Sequence, residues 1–487
     1  MKLTILTSVS ALAMLASGPA LAQVAADAGF DNSSAVTQTG NTNSATVLQR
    51  KNDQTATINQ AGDGHKATVE QGHNYGASSL SSGNTGTITQ TARADGGSKS
   101  AGTVYQLSAN NTGTITQVGE NQADIAQGVT TLGSNNQATI NQTDDNSGAA
   151  MINIAGIGQE GSDNIATTQQ NGDRNISHLK QRTADNNAGV SQMGLDNVSD
   201  VNQVGTANSL TTGQDGDANF ADAYQLGNDN LASLTQTGNS NEAAVLQDGD
   251  SNSATVLQTA DNNNVGDTLP DTRPNWPNPR AGSYTPRSVG VLQRGDDNRA
   301  YASQTGSGAA SIHQVGDDNF AGVEQDGVGA IFDVSQTGDS NRVTKTGGED
   351  AYVTQTGDSA EIYVAQAGNS NEAVLEQIGD SALVDIAQAG HNNLATTSQA
   401  PEAAGASSLI TQTGDRNTAS VTQASLASSS ITQTGSDNRA TVGQGVGSYS
   451  LVSQGGNANV ASVTQGANDW SSVMQAGNAN TATVTQN

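Results

Sequence analysis

The sequence predicts an all-β fold, a β-solenoid of stacked strand–turn–strand rungs that is cross-β-like, with inward Gln and Asn ladders. Three observations predict it. Gln236, Gln247 and Gln258 stand eleven residues apart, and both intervals read Q-x-G-x-x-N-x-A-x-V-x-Q. Asn241, Ala243, Val245 and Gln247 fall on alternate positions, so an extended strand puts all four on one face. Gly238 and the polar residues after it supply a turn. Two such units, 11 + 11 = 22 residues, close one hairpin-like rung.

Composition alone argues the other way. Of 487 residues only 33% are hydrophobic and the net charge is −28, a balance typical of disordered chains. A disordered chain has no physical reason to keep glutamine at a fixed spacing, whereas a stacked repeat does. The absence of cysteine excludes disulfide staples and Cys-based zinc sites. The acidic balance, with no basic patch, argues against a nucleic-acid backbone as partner. It favours solubility and repulsion between copies near neutral pH.

The elements follow in order. Lys2, the apolar run Leu3 to Leu15 and Ala20-Leu21-Ala22 read as a secretory signal peptide over 1–22. The run is too short to span a bilayer, which needs about 20 residues. A short leader covers 23–34. The first array covers 35–258 and opens on Gln38, Gln49 and Gln60. It is degenerate at about 72–158, where extra residues form longer turns or mark lost rungs. It is regular again through Gln170, Gln192, Gln203, Gln214, Gln225, Gln236, Gln247 and Gln258. Five of the seven prolines lie in 259–288, together with Trp276. Proline gives no ladder donor, so this segment is a linker or a loop. The second array covers 289–487, through Gln293, Gln314, Gln366, Gln377, Gln388, Gln412, Gln433, Gln475 and Gln486. It stops on a strand with no polar cap after it.

The ladders follow from stacking. Equivalent strands pair at about 4.7–4.9 Å, so like residues lie over one another, with Ala and Val filling the space between two sheets. A buried amide without partners costs roughly 1–3 kcal/mol. In register, each amide donates to one neighbour and accepts from the other, as in cross-β stacks. The expected ladder asparagines are Asn241, Asn252, Asn298, Asn319, Asn371, Asn417, Asn438 and Asn480. The expected turn glycines are Gly40, Gly194, Gly205, Gly216, Gly227, Gly238, Gly249, Gly295, Gly316, Gly338, Gly368, Gly379, Gly414, Gly435 and Gly477. Glycine supplies φ > 0, and Asn and Asp tolerate the left-handed region.

The unit resembles the repeat of curlin, the subunit of bacterial curli fibres. Gln236, Gly238, Asn241, Ala243 and Gln247 match it position for position, as do Gln366, Gly368, Asn371, Ala373 and Gln377. The resemblance implies a secreted β-solenoid that polymerises into an extracellular amyloid fibre, with roles in biofilm matrix, adhesion and cell aggregation. It also implies export through an outer-membrane pore and a nucleating partner.

No catalytic constellation and no cofactor or metal site is expected. His65, His73, His178, His313 and His391 fall on different repeats and read as solvated turn residues. Turn aspartates such as Asp250, Asp296, Asp317, Asp339 and Asp415 raise calcium binding, but the repeat lacks the nonapeptide of calcium-binding β-rolls. The pairs Thr87/Thr89, Thr114/Thr116 and Thr483/Thr485 raise an ice-binding face, but they are intermittent and fit the β-propensity of threonine. The expected function is a structural one, a head-to-tail polymer of the chain with itself. The alternative is a monomeric β-solenoid surface adhesin.

Overall fold

The computed structural model describes residues 21–26, 31–72, 82–93, 99–128, 133–144, 152–262, 264–265, 290–345, 351–400 and 403–487. Among these, every regular element is a strand. The chain divides into two compact units, Met1–Asp229 and Asn230–Asn487. Each is a parallel β-solenoid with about 22 residues per rung.

In the first unit the chain alternates between two facing sheets, so that each rung gives one strand to each. Ser44–Gln49 pairs with Lys66–Gln71, while Ser33–Thr39 pairs with Thr55–Ala61. All pairing is parallel and joins like to like. Ile58 lies on Ile88, Ile88 on Ile115, and Ile115 on Ile140. The irregular stretch after residue 72 stays in register, because its surplus residues fall between strands. Lys66–Gln71 pairs directly with Ala101–Gln106 although Gln71 and Gln106 are 35 residues apart. Leu21–Ala26, inside the segment read as signal and leader, pairs with Ser44–Gln49.

The second unit repeats the plan. Glu242–Asp248 pairs with Val291–Arg294, and Ser253–Gln258 with Arg299–Gln304. These strands flank the proline-rich segment, so the stack of this unit runs straight across it. All five prolines and Trp276 lie outside the described residues. The division between the two units falls at Asp229 instead.

The core is a thin row of side chains. Ala45, Val47, Ala56 and Ile58 in one unit and Ala395, Ile410, Val421 and Ile431 in the other are fully buried. Full burial of one such Val or Ile contributes about 1.5–3 kcal/mol, and repetition supplies the rest. At several rungs where a hydroxyl replaces an inward apolar group, the facing sheet answers it. Thr168 Oγ1 lies 3.3 Å from Ser177 Oγ, and Ser199 Oγ lies 2.9 Å from Thr212 Oγ1. Such pairs satisfy buried polar atoms that would otherwise cost stability.

Candidate functional site: the buried amide ladders

The conspicuous chemistry of the described residues is amide chemistry, and it forms columns. In each Gln column Nε2 donates to Oε1 of the glutamine one rung further along the chain. The distances run from 2.7 Å for Gln38 to Gln60 to 3.1 Å for Gln465 to Gln486. The same nitrogen donates to a backbone carbonyl of the facing sheet, as Gln49 does to Ser33 O at 2.9 Å and Gln366 to Arg342 O at 3.1 Å. Each glutamine therefore ties rung to rung and sheet to sheet. Gln170, Gln192, Gln203, Gln214 and Gln225 in the first unit are buried in these columns. So are Gln236, Gln247, Gln258, Gln293, Gln314, Gln377, Gln388, Gln412, Gln433 and Gln475 in the second. Gln38 and Gln486 are half-buried at column ends. The ladder is interrupted at Gln399, whose Oε1 is buried without a partner.

The Asn columns run with the opposite polarity. The backbone N–H and Nδ2 of Asn319 both donate back to Asn298 Oδ1, at 3.1 and 3.0 Å. Asn298 Nδ2 also reaches forward to the Gly316 carbonyl at 2.7 Å. Asn371, Asn417 and Asn438 repeat this pattern. Asn252 sends its Nδ2 forward in the same way and its backbone N–H back to Asn230 Oδ1. Asn480 is tied back to Asn459. Asn241 holds the Thr237 carbonyl at its own turn, at 3.3 Å. Between like residues, glutamine thus donates up each stack to glutamine and asparagine down it to asparagine.

The turns form a third, exposed ladder that the sequence reading missed. The residue after the glycine accepts from the backbone of the rung before it. Asp250 N–H donates to Asp296 Oδ1 at 2.8 Å, Asp296 to Asp317 at 2.9 Å, and Asp317 to Asp339 at 3.1 Å. These aspartates are hydrogen-bond acceptors for backbone. The left-handed residue is the one after that, and its type is free: Ser240, Ser370, Arg416 and Ala458 all have φ between 55° and 58°. Asp and Asn take this position too, as at Asp297, Asp318 and Asn392, and elsewhere the stack itself holds the conformation. The expected turn glycines have φ > 0, from 100° at Gly477 to 134° at Gly249, except Gly379. Gly379 is needed for space, since a Cβ there would lie 2.9 Å from the Ala403 carbonyl carbon.

Charge is paired along the same axis. Arg174 with Asp196 and Arg416 with Asp437 occupy the second position after the turn glycine on adjacent rungs, and each pair is bidentate. The Arg416 hydrogen bond holds the Asp437 carboxyl below its ordinary range. Both partners are exposed, so the pair adds little stability.

Three of the described histidines depart from the reading as solvated turn residues: His178 and His313 are half-buried on strands Ile176–Arg182 and Gly308–Val315, and His65 departs furthest. His65 stands in the Asn column, fully buried. Its backbone N–H donates to Asn43 Oδ1 at 2.9 Å, as an asparagine would. Its Nδ1 accepts from the Ser100 backbone N–H at 3.3 Å, and Nε2 lies 3.2 Å from the Ala61 carbonyl. The ring is therefore neutral with its proton on Nε2. Burial pushes its pKa below the ordinary 6.5, partly opposed by the Ala61 hydrogen bond and by Asp63. Only well above pH 6.5 does neither the folded nor the unfolded chain carry this proton. As pH falls below that, the unfolded chain takes it up first, so this rung loses stability until the folded pKa is reached. The protection of the His65 and Ser100 amides, taken relative to their intrinsic exchange rates, is expected to fall between pH 7 and 5, and His65→Asn to flatten that dependence. His178 pairs with Asp200 at 3.0 Å, His313 is half-buried, and His391 Nδ1 accepts from Asn369 N–H in the turn ladder. His73 lies outside the described residues.

Gln127, spaced 21 and 32 residues from Gln106 and Gln159, is a buried ladder member that the irregular spacing hid. Among the described residues no group of three or more His, Cys, Asp or Glu is placed to hold a metal ion.

Residues 205–238, 238–266 and 309–338 match the Curlin associated repeat. No curated protein matches the chain. The matched stretches carry the Gln, Gly and Asn positions that build the ladders, and over them the chain is similar to the curlin associated repeat.

Proposed function

We propose that the protein is a secreted structural protein that polymerises head to tail into extracellular, amyloid-like fibres of the curli kind. These fibres serve biofilm matrix, adhesion and cell aggregation. Export through an outer-membrane pore and nucleation by a dedicated partner belong to the same proposal, which rests for them on the repeat family. One observation carries the reading: within each unit, neighbouring rungs meet through the same parallel ladders of like residues. A rung of another copy offers the same donors and acceptors as a rung of its own chain. Strand Thr481–Thr485 pairs along one edge with Val460–Gln465, and no other described strand lies along its second edge. An unpaired edge is a template for further pairing. Because glutamine donates up the stack and asparagine down it, addition in one polarity completes both ladders.

Electron microscopy of the purified, secreted protein tests this, with fibres that bind an amyloid dye as the expected result. Single rods that persist for days without dye binding would instead support the monomeric adhesin. With 46 carboxylates against 18 basic groups, repulsion between copies is the brake on growth. Assembly should quicken as pH falls toward the pI of about 4.1, and added salt should act the same way at neutral pH. Rates indifferent to both would remove charge as the brake.

A further inference from the structure

The outer face of one sheet in the second unit changes character along the stack. Strands Ala330–Thr337, Glu361–Ala367 and Leu383–Ala389 carry the outward charges Asp333, Glu361 and Asp385. The next four, Ser407–Thr413, Ser428–Thr434, Tyr449–Gly455 and Trp470–Ala476, carry no ionisable side chain other than Tyr449. In a chain of net charge −28 this is a face on which two copies meet without like-charge repulsion. It is also apolar where it is exposed: Leu409 is 41% accessible, Tyr449 40%, Trp470 64% and Met474 80%.

The residue order down the face has a shape. Leu409 lies on Ser430, Ser430 on Leu451, and Leu451 on Ser472, so large and small side chains alternate from rung to rung. At about 4.8 Å per rung the two leucines stand roughly 9–10 Å apart with a serine between them. A leucine from a second, two-fold-related copy fits that gap, and its own serine receives Leu451 in return. Sheets that interdigitate in this way pack about 10 Å apart and exclude water. A two-fold contact needs a self-complementary patch, and the alternation provides one.

We infer that this face, centred on Leu409, Leu451, Tyr449 and Trp470, joins two copies of the chain side by side. The contact is lateral, perpendicular to the head-to-tail addition proposed above, and it exists whether or not the chain polymerises.

The test uses the full secreted chain and the double variant Leu409→Asp/Leu451→Asp, whose side chains point outward. Thr422→Asp on the opposite sheet serves as the control, and circular dichroism verifies that all three fold. If fibres form, microscopy should show paired filaments for the wild type and the control and single filaments for the double variant, with unchanged growth by dye binding. If fibres do not form, sedimentation equilibrium on the soluble rods should show a monomer–dimer equilibrium that the double variant loses. Single filaments or purely monomeric rods from the wild type overturn the inference, as do pairs that persist in the double variant. Wild-type binding to phosphatidylcholine vesicles, lost in the double variant and without pairing, would assign the face to a lipid surface and overturn it too.

Discussion

Replacing Gly414 with alanine is expected to push adjacent rungs of the second unit away from each other. Gly414 has φ +110°, and a Cβ there would lie 2.1 Å from the carbonyl oxygen of Gly435 on the adjacent rung. The strained backbone alone costs about 1–3 kcal/mol. The overlap adds more, because its partner is backbone that Asn417 Nδ2 already holds at 2.8 Å. A side chain could rotate away, but this carbonyl cannot without breaking the Asn column. Gly443 is the matched control. It sits on an outward strand position with nothing within 4 Å of its Cβ, so Gly443→Ala should be neutral or stabilise the strand by about 0.5–1 kcal/mol. Repeat stacks open locally, so a single melting temperature is the wrong measure. Amide exchange of rungs 407–444 should rise in Gly414→Ala and remain as in the wild type in Gly443→Ala. Equal exchange in the two variants would show that the turn tolerates a side chain.

The second large effect concerns the amides. Gln366 Oε1 accepts from Gln336 Nε2 at 2.8 Å, and its own Nε2 donates to Gln388 Oε1 at 2.8 Å. Gln366→Ala leaves the Gln336 Nε2 donor and the Gln388 Oε1 acceptor, both buried, without their Gln366 partner. At about 1–3 kcal/mol for each such group, the loss is on the order of 2–6 kcal/mol. Thr411→Ala, at an outward position of a nearby strand, should stay within about 0.5 kcal/mol. The measurement is again exchange, at residues 336, 366 and 388. Protection unchanged in Gln366→Ala would mean that the ladder follows from the stack and does not hold it together.

Both predictions share a physical origin. In a solenoid each rung sees only its neighbours, so stability is a sum of local and nearest-neighbour contributions. A lesion therefore stays near the rung that carries it. For the same reason fibre growth by docking of rungs should be sensitive to ladder lesions near an open edge and indifferent to those deep in a stack.

Much of this was legible in the sequence because translation along a stack leaves a period in the chain. The eleven-residue step from Gln236 to Gln258 shows the strand, the turn and the inward face at once. His65 was not legible in that way. It stands 22 residues after Asn43, which arithmetic could have noticed, but the surplus residues after it break the spacing to its next partner, Ser100. Gln127 was hidden by the same irregularity. The ladder made by the turn aspartates was missed for a different reason. Turn propensity accounts for Asp296 and Asp317 adequately by itself, and only stacked backbones reveal what their carboxylates hold.

By itself, then, the sequence determined that this chain forms stacked rungs of two strands with buried Gln and Asn, since stacking in register satisfies amides repeated at that spacing. Only the tertiary structure decided that the stack of the second unit continues across the proline-rich segment. It alone decided the opposed polarities of the two amide ladders, the left-handed conformation imposed on whatever residue follows the turn, and the neighbourhood of Leu409, Leu451 and Trp470 on one uncharged face. The reason is that period is a property of one unit, readable along the chain. Polarity, register across an insertion and the character of a face belong to pairs of rungs, and residues 21 to 46 positions apart in the chain become neighbours only when the stack has formed.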